Sequence, residues 1–247
     1  MTVKSIYSAL LVLLFFLSAC DNKQPAVTAV PEQKETALSP ARDTVAIKEQ
    51  DTVAVSNYRL FFSAADSTPV PDFLEQHGIK VSGGQMAYFT ADKDQLGLLL
   101  ENGDTAILKH DTTKAEHYQF FVHLPQINYH LVRVQYPEGN SYLLVNARTG
   151  KKTSIIGLPY ISPSKQYIIA ANEDLIAGHS ANALQLLKIE KDSLANQFIL
   201  DIKGWGPEKI KWLSDSSFII QKKMALIDSA KGTIGYKRSQ SLVNIHP

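Results

Sequence analysis

Ile161-Ser162-Pro163-Ser164-Lys165-Gln166-Tyr167-Ile168-Ile169 lines up without gaps on Trp212-Leu213-Ser214-Asp215-Ser216-Ser217-Phe218-Ile219-Ile220, 51 positions further along the chain. In each copy, turn-forming residues lead into an aromatic residue followed by two isoleucines, the pattern of a polar turn feeding a buried strand. The spacing is close to the ~40–50 residues of a repeated four-stranded unit. The second copy lacks the proline. Each copy also precedes a strand that ends in a polar turn, at residues 187–192 and 226–232.

The surrounding sequence is of the same kind. Residues 58–62 form a strand pattern, and Pro71 with Gly78 brackets one short helix over 71–77. Residues 98–101 and 104–108 flank Asn102-Gly103, the pair suited to a type I′ hairpin turn. Further strand runs are expected at 118–124, 129–136, 142–146, 153–156, 166–171, 183–189, 197–202, 209–213, 217–222 and 225–228. In Lys209-Ile210-Lys211-Trp212 the alternation turns the lysines to water and Ile210 and Trp212 to the core. A 3.6-residue period is nearly absent, so the fold class is all-β with at most one short helix besides the N-terminal signal segment.

The first repeat copy resembles the blade motif of TolB-type propellers, in which a Ser-Pro turn precedes an aromatic-aliphatic strand. The resemblance spans roughly residues 142–236 and departs where the second copy lacks the proline. It implies a small or partial β-propeller-like domain. About 190 residues follow the expected linker, room for about four such units. A β-sandwich or open antiparallel sheets remain the alternatives.

At the N-terminus, Lys4 precedes an apolar run over 6–17, and Leu17-Ser18-Ala19-Cys20 closes it with the only cysteine of the chain. The run is too short for a span of ~20 apolar residues and has the three-part pattern of a secretory signal. Leu17–Cys20 resembles a bacterial lipoprotein lipobox. That resemblance implies cleavage before Cys20, acylation of Cys20 with palmitate-type chains, and a cell-envelope protein facing the periplasm or the cell surface. Residues 1–19 are then signal peptide. Residues 20–55 are expected to be the lipidated cysteine and a disordered linker, since 21–55 holds no aromatic residue and no glycine, with prolines at 25, 31 and 40. A mild alternation over 44–55 would add an edge strand. The globular domain is placed at 56–247.

The single cysteine leaves stability to a packed core, without disulfides. The 25 basic and 24 acidic residues give a net charge of +1, which argues against nucleic acid as a partner. Four histidines cluster at 110, 117, 123 and 130. If 125–128 is a hairpin loop, His123 lies opposite His130, followed on the same face by Phe121/Val132, Gln119/Val134 and His117/Tyr136. Two facing imidazoles are weak metal candidates, because a zinc site takes three or four protein ligands. No metal and no cofactor are expected.

Ser162-Pro163-Ser164-Lys165 matches a Ser-x-x-Lys pattern, but Pro163 and the β-prone residues after it deny the serine and lysine a shared helical turn. The loop over 172–182 concentrates Asn172, Glu173, Asp174 and His179 between two apolar strands and is the expected ligand-binding surface. Trp205, between Gly204 and Gly206, is either a stacking platform or a core plug. The expected function is a lipid-anchored, non-catalytic binding or assembly module for a polypeptide or glycan of the envelope. The alternative is an envelope hydrolase with a site built from distant residues.

Replacing Cys20 by serine is expected to abolish incorporation of an alkyne-palmitate label and to block normal processing. Retained label would contradict the lipobox reading.

Overall fold

The computed structural model describes residues 42–48, 51–79, 83–228 and 230–247. The chain divides into residues 1–38, which lie outside the described part together with Cys20, and the unit Ser39–Pro247 treated below. Strands β1 (Arg42–Ala46), β2 (Thr52–Val55) and β3 (Tyr58–Ala64) come first, followed by one short helix, α1 (Phe73–Gln76), and a 3-10 segment over Gly83–Tyr88. Gly78 ends the helix in the left-handed region at φ +62°, donating its N–H to the Glu75 carbonyl.

The remaining strands form successive antiparallel meanders. The first sheet is β4 (Phe89–Ala91), β5 (Gln95–Leu99) and β6 (Thr105–Lys109), and the second is β7 (His117–Leu124), β8 (Tyr129–Tyr136), β9 (Gly139–Asn146) and β10 (Lys152–Ile155). The third comprises β11 (Leu158–Ile161), β12 (Tyr167–Asn172), β13 (Ala183–Ile189) and β14 (Leu194–Lys203), with β1 added in parallel on the outer side of β14. The fourth has the order β15 (Gly206–Ser214), β16 (Ser217–Asp228), β17 (Thr233–His246), β3, β2. The fold is all-β, in several antiparallel sheets with a single short α-helix among the described residues.

In the fourth sheet β3, near the start of the chain, pairs antiparallel with β17 at its end, from Ala64↔Ser241 to Arg59↔His246. Leu60, Phe62, Val243 and Ile245 from this seam enter the main core. That core also takes Leu131 and Leu144 from the second sheet and Ile168, Leu184 and Phe198 from the third. The opposite face of the second sheet (Val132, Val134, Leu143, Val145) packs on Leu96, Leu98 and Leu108 of the first. Sheets covered on both faces bury consecutive positions, which is why Ala183–Leu187 carries five buried residues in a row, four apolar and Gln185 bonded to Asn196 and the Ile156 N–H, where an alternating strand would carry three.

The two repeat copies are the β11–β12 and β15–β16 hairpins of neighbouring sheets. They meet directly: the Ser164 N–H donates to Asp215 Oδ1 at 3.0 Å, and Trp212 Nε1 donates to the Tyr160 carbonyl at 2.8 Å. The likeness ends there. Residues 187–189 belong to the third strand of their sheet, whereas Leu226 still lies in the second strand of its own, because β16 runs on without a turn to Asp228.

Two other expectations are corrected. Residues 100–104 close the β5–β6 hairpin as a longer loop in which only Gly103 has positive φ, so Asn102-Gly103 does not form a two-residue type I′ turn. The Leu100 N–H reaches the Asp104 carbonyl and the Asp104 N–H reaches Asn102 Oδ1, an Asx arrangement that competes with it. The domain also starts before residue 56. Val53 and Val55 alternate inward from β2, and Ile47 is buried behind β1, so this part of the expected linker is core.

A chain beginning at Ser56 is therefore expected to unfold at lower urea concentration than the full chain, having lost three buried aliphatic side chains worth about 1.5–3 kcal/mol each when fully buried. Leu60→Ala is expected to cost about 2–5 kcal/mol by the same measurement. An unchanged midpoint for the shortened chain would contradict the earlier domain start, and an unchanged midpoint for Leu60→Ala would contradict the assigned seam.

Candidate functional site

One end of the domain is built from the connections between second and third strands in three consecutive sheets. These are residues 137–138 in the second sheet, residues 173–182 in the third, and the tip of the β16–β17 hairpin in the fourth. They touch in series. His179 Nδ1 lies 3.4 Å from Glu138 Oε2, and Ser180 Oγ donates to the Asn140 carbonyl. On the other side the Lys223 ammonium bridges both Glu173 carboxylate oxygens at 3.0 and 3.1 Å. A cleft of about 470 Å³ lies over Tyr136–Gly139 and His179.

The structure thus brings Asn172, Glu173, Asp174 and His179 to one end, with Glu173 bonded to Lys223, His179 beside Glu138, and Asn172 and Asp174 bonded within the loop. Asp174 accepts the backbone N–H groups of Gly178, His179 and Ser180 at 2.7–2.9 Å. Burial pushes its carboxyl up, but these donors outweigh that and hold it below the ordinary 3.8. Asn172 Nδ2 donates to the Ala181 carbonyl. Asn182 accepts from the Asp174 N–H and donates to the carbonyls of Ile202 and Trp205. These groups hold an irregular loop in shape.

Trp205 is only 4% exposed, with its Nε1–H donated to the Ile47 carbonyl and its ring set edge-on to Phe62. It plugs the crossover between the third and fourth sheets and is not a stacking platform.

The β7–β8 hairpin places His123 opposite His130, as the four-residue loop requires. A bulge at Phe121 then slips the register, so Phe120 faces Val132, Gln119 faces Arg133 and His117 faces Gln135. The Phe121/Val132, Gln119/Val134 and His117/Tyr136 pairings do not form. The two imidazoles approach at 3.3 Å between their Nδ1 atoms. His130 Nε2 lies 2.9 Å from the Leu99 carbonyl and must donate to it, leaving Nδ1 to accept the proton carried by His123. Tyr88 stacks on His123 at 4.4 Å. Both Nδ1 atoms are committed to each other, and among the described residues no group of three or more His, Cys, Asp or Glu is placed to hold a metal ion.

The hairpin formed by β16 and β17 was not expected. Beyond Lys223 on one strand and Gln240 on the other, its partners β15 and β3 are gone, and it continues as a two-stranded arm. Ile227 pairs with Ile234 and Ala225 with Tyr236 on one face, with Leu226 against Gly235 on the other. Leu226, Ile227, Ile234 and Tyr236 are 55, 69, 48 and 45% exposed. Ile176, on the neighbouring loop, is exposed at the same end.

Ionic contacts brace the base of the arm. Arg238 donates twice to the Glu208 carboxylate, each bond 2.7 Å, and Gln221 donates to the same group. Arg238 first, and then Gln221, hold Glu208 below its ordinary value against the effect of burial. Lys223 lies 4.2 Å over the Tyr236 ring while bonding Glu173. The sequence signal for the arm was a pair of aliphatic runs, Leu226-Ile227 and Ile234, on either side of the polar residues 228–233.

No family model matches the chain, and no curated protein matches it in sequence. Among solved structures, a putative 6-phosphogluconolactonase from Bacteroides uniformis is similar at 10% identity and a TM-score of 0.30, over 76% of this chain and 56% of that one. The chain therefore spans little more than half the length of that protein. Similarity at this level fixes neither a shared topology nor a shared activity.

The buried histidines set a pH window. Burial, and then the charge of His130, lower His123 to about 4 from an ordinary 6.5. Burial lowers His130 and His77 too, each partly offset by a carbonyl acceptor. The unfolded chain takes up protons on these rings near pH 6.5 while the folded chain resists, so their contribution is full above that pH and is lost as pH falls towards 4. The urea midpoint is expected to fall between about pH 7 and about pH 5, with a shallower slope for His123→Gln. Equal slopes for the two proteins would contradict the neutral pair.

Proposed function

We propose that this is a lipid-anchored cell-envelope protein, attached through acyl chains on Cys20, whose β-rich domain is a non-catalytic binding or assembly module for a polypeptide. The arm carries this reading. An isolated two-stranded ribbon is marginal in water, and this one exposes four large apolar side chains at its end. A partner that covers them supplies what the rest of the domain does not.

Two features favour a polypeptide over a glycan or a hydrolytic substrate. The tryptophan best suited to stack on a sugar ring is in the core. The polar loop beside the arm spends Asp174 and Asn172 on its own backbone, Asn182 on the Ile202 and Trp205 carbonyls and Glu173 on Lys223, where a hydrolase needs groups free to meet a substrate. The lipid anchor rests on the lipobox resemblance and places the domain at an envelope membrane, facing the periplasm or the cell surface.

A photo-crosslinking amino acid at Ile227, introduced in the producing cells, is expected to yield one discrete envelope adduct that is absent when the same probe sits at the exposed Met86. Equal adduct patterns at the two positions, or none at Ile227, would contradict an arm-borne site.

A further inference from the structure

The outer edge of β17 is an open strand position. From Ser241 to His246 that edge is occupied by β3, and Gln240 accepts from the Ala65 N–H. Among the described residues, Thr233–Ser239 has backbone partners only on the β16 side. An exposed strand edge with unmet N–H and C=O groups is a template for another strand. In the third sheet the outer edge of the equivalent strand, β13, is covered along its whole length by β14, from Ala183↔Asp201 to Ile189↔Leu194. The fold leaves β17 uncovered in line with β3.

The side chains along that edge define what fits. Ile234 and Tyr236 share the face of Ile227, and Gly235 and Lys237 lie on the other. Thr233–His246 contains no acidic residue, while Lys237 and Arg238 are exposed and Lys231 sits in the adjoining turn. Arg238 is held by Glu208, so Lys237 is the cation presented to a neighbour. A strand added here would set apolar side chains beside Ile234 and Tyr236, and a carboxylate on its other face beside Lys237.

We infer that β17 accepts an extended polypeptide strand, apolar on one face and acidic on the other, by antiparallel or parallel addition along residues 233–239. This rests on the proposed binding-module reading and names its partner chemistry. A bilayer is a worse occupant. In hydrocarbon the unmet N–H and C=O groups of this edge would find no partner, whereas an added strand pairs with them.

The test uses the full lipidated chain in detergent micelles and fluorescent peptides alternating valine with glutamate or valine with lysine. Anisotropy is expected to show the glutamate peptide binding at least about tenfold more tightly than the lysine peptide. Lys237→Glu should reverse that order. Ile234→Ser and Tyr236→Ser, both at exposed positions, should weaken binding, and N-methylation of alternate peptide amides should abolish it. Equal affinity for both peptides, no binding, or indifference to N-methylation would overturn the inference. Self-association that competes with the peptide and is lost in Ile234→Ser would overturn it in favour of a second copy. Vesicle capture of Cys20→Ser chains on phosphatidylglycerol, lost in Ile227→Ser, would overturn it in favour of a bilayer. Loss of the anchor reading alone is separately visible, as an unlabelled Cys20 with peptide binding intact, and that outcome supports the strand site.

Discussion

The antiparallel seam between β3 and β17 is the interaction on which the rest of the structure depends. It joins a strand near the start of the described chain to the strand that ends it, and among the described residues it is the longest-range strand pairing. Its inward residues Leu60, Phe62, Val243 and Ile245 complete the core shared by the second, third and fourth sheets. Without the seam, the β2–β3 hairpin is detached from the sheet, β15–β17 remain three strands with an open edge, and that core loses one wall. The seam also divides β17 in two. The C-terminal part is spent on closure, and the N-terminal part extends beyond β3 into the arm. One strand therefore links the interior to the surface that the proposed function uses.

That division explains the contrast between the arm and its neighbour. The loop over 173–182 is the connection in the third sheet equivalent to the arm in the fourth, and the Glu173–Lys223 pair joins the two. The loop answers its irregular backbone with internal hydrogen bonds, above all the three N–H groups gathered by Asp174. The arm's regular backbone is paired across its two strands, and its apolar side chains stay in water. Buried polar groups that are fully paired rigidify a surface. Exposed apolar groups on a regular ribbon leave it open to a partner.

Much of this was legible in the sequence. The all-β class followed from short β-branched runs and turn residues, and the Ile161/Trp212 repeat marked equivalent hairpins that touch in space. The His123–His130 pairing followed from loop length, since 125–128 fixes the register next to it. Past Phe121 the same reasoning failed, because a one-residue bulge leaves no compositional trace. The start of the domain was misplaced because residues 42–55 lack aromatic residues and glycine, although Val53 and Val55 carry the alternation of a half-buried strand. The loop 172–182 stood out for its polar residues, but composition does not tell a polar group that waits for a ligand from one that holds its own backbone. The arm was read as a strand ending in a turn, since the absence of flanking strands is a tertiary fact.

Hydrogen exchange of the β17 amides in the full chain, with and without the valine–glutamate peptide, distinguishes an open strand edge from a closed one. Rapid exchange is expected in the free protein for outward-facing amides within 233–239, slow exchange over 241–246 where β3 covers them, and new protection confined to 233–239 with the peptide. Protection that appears instead over 173–182, or an unchanged pattern along β17, would contradict the open edge.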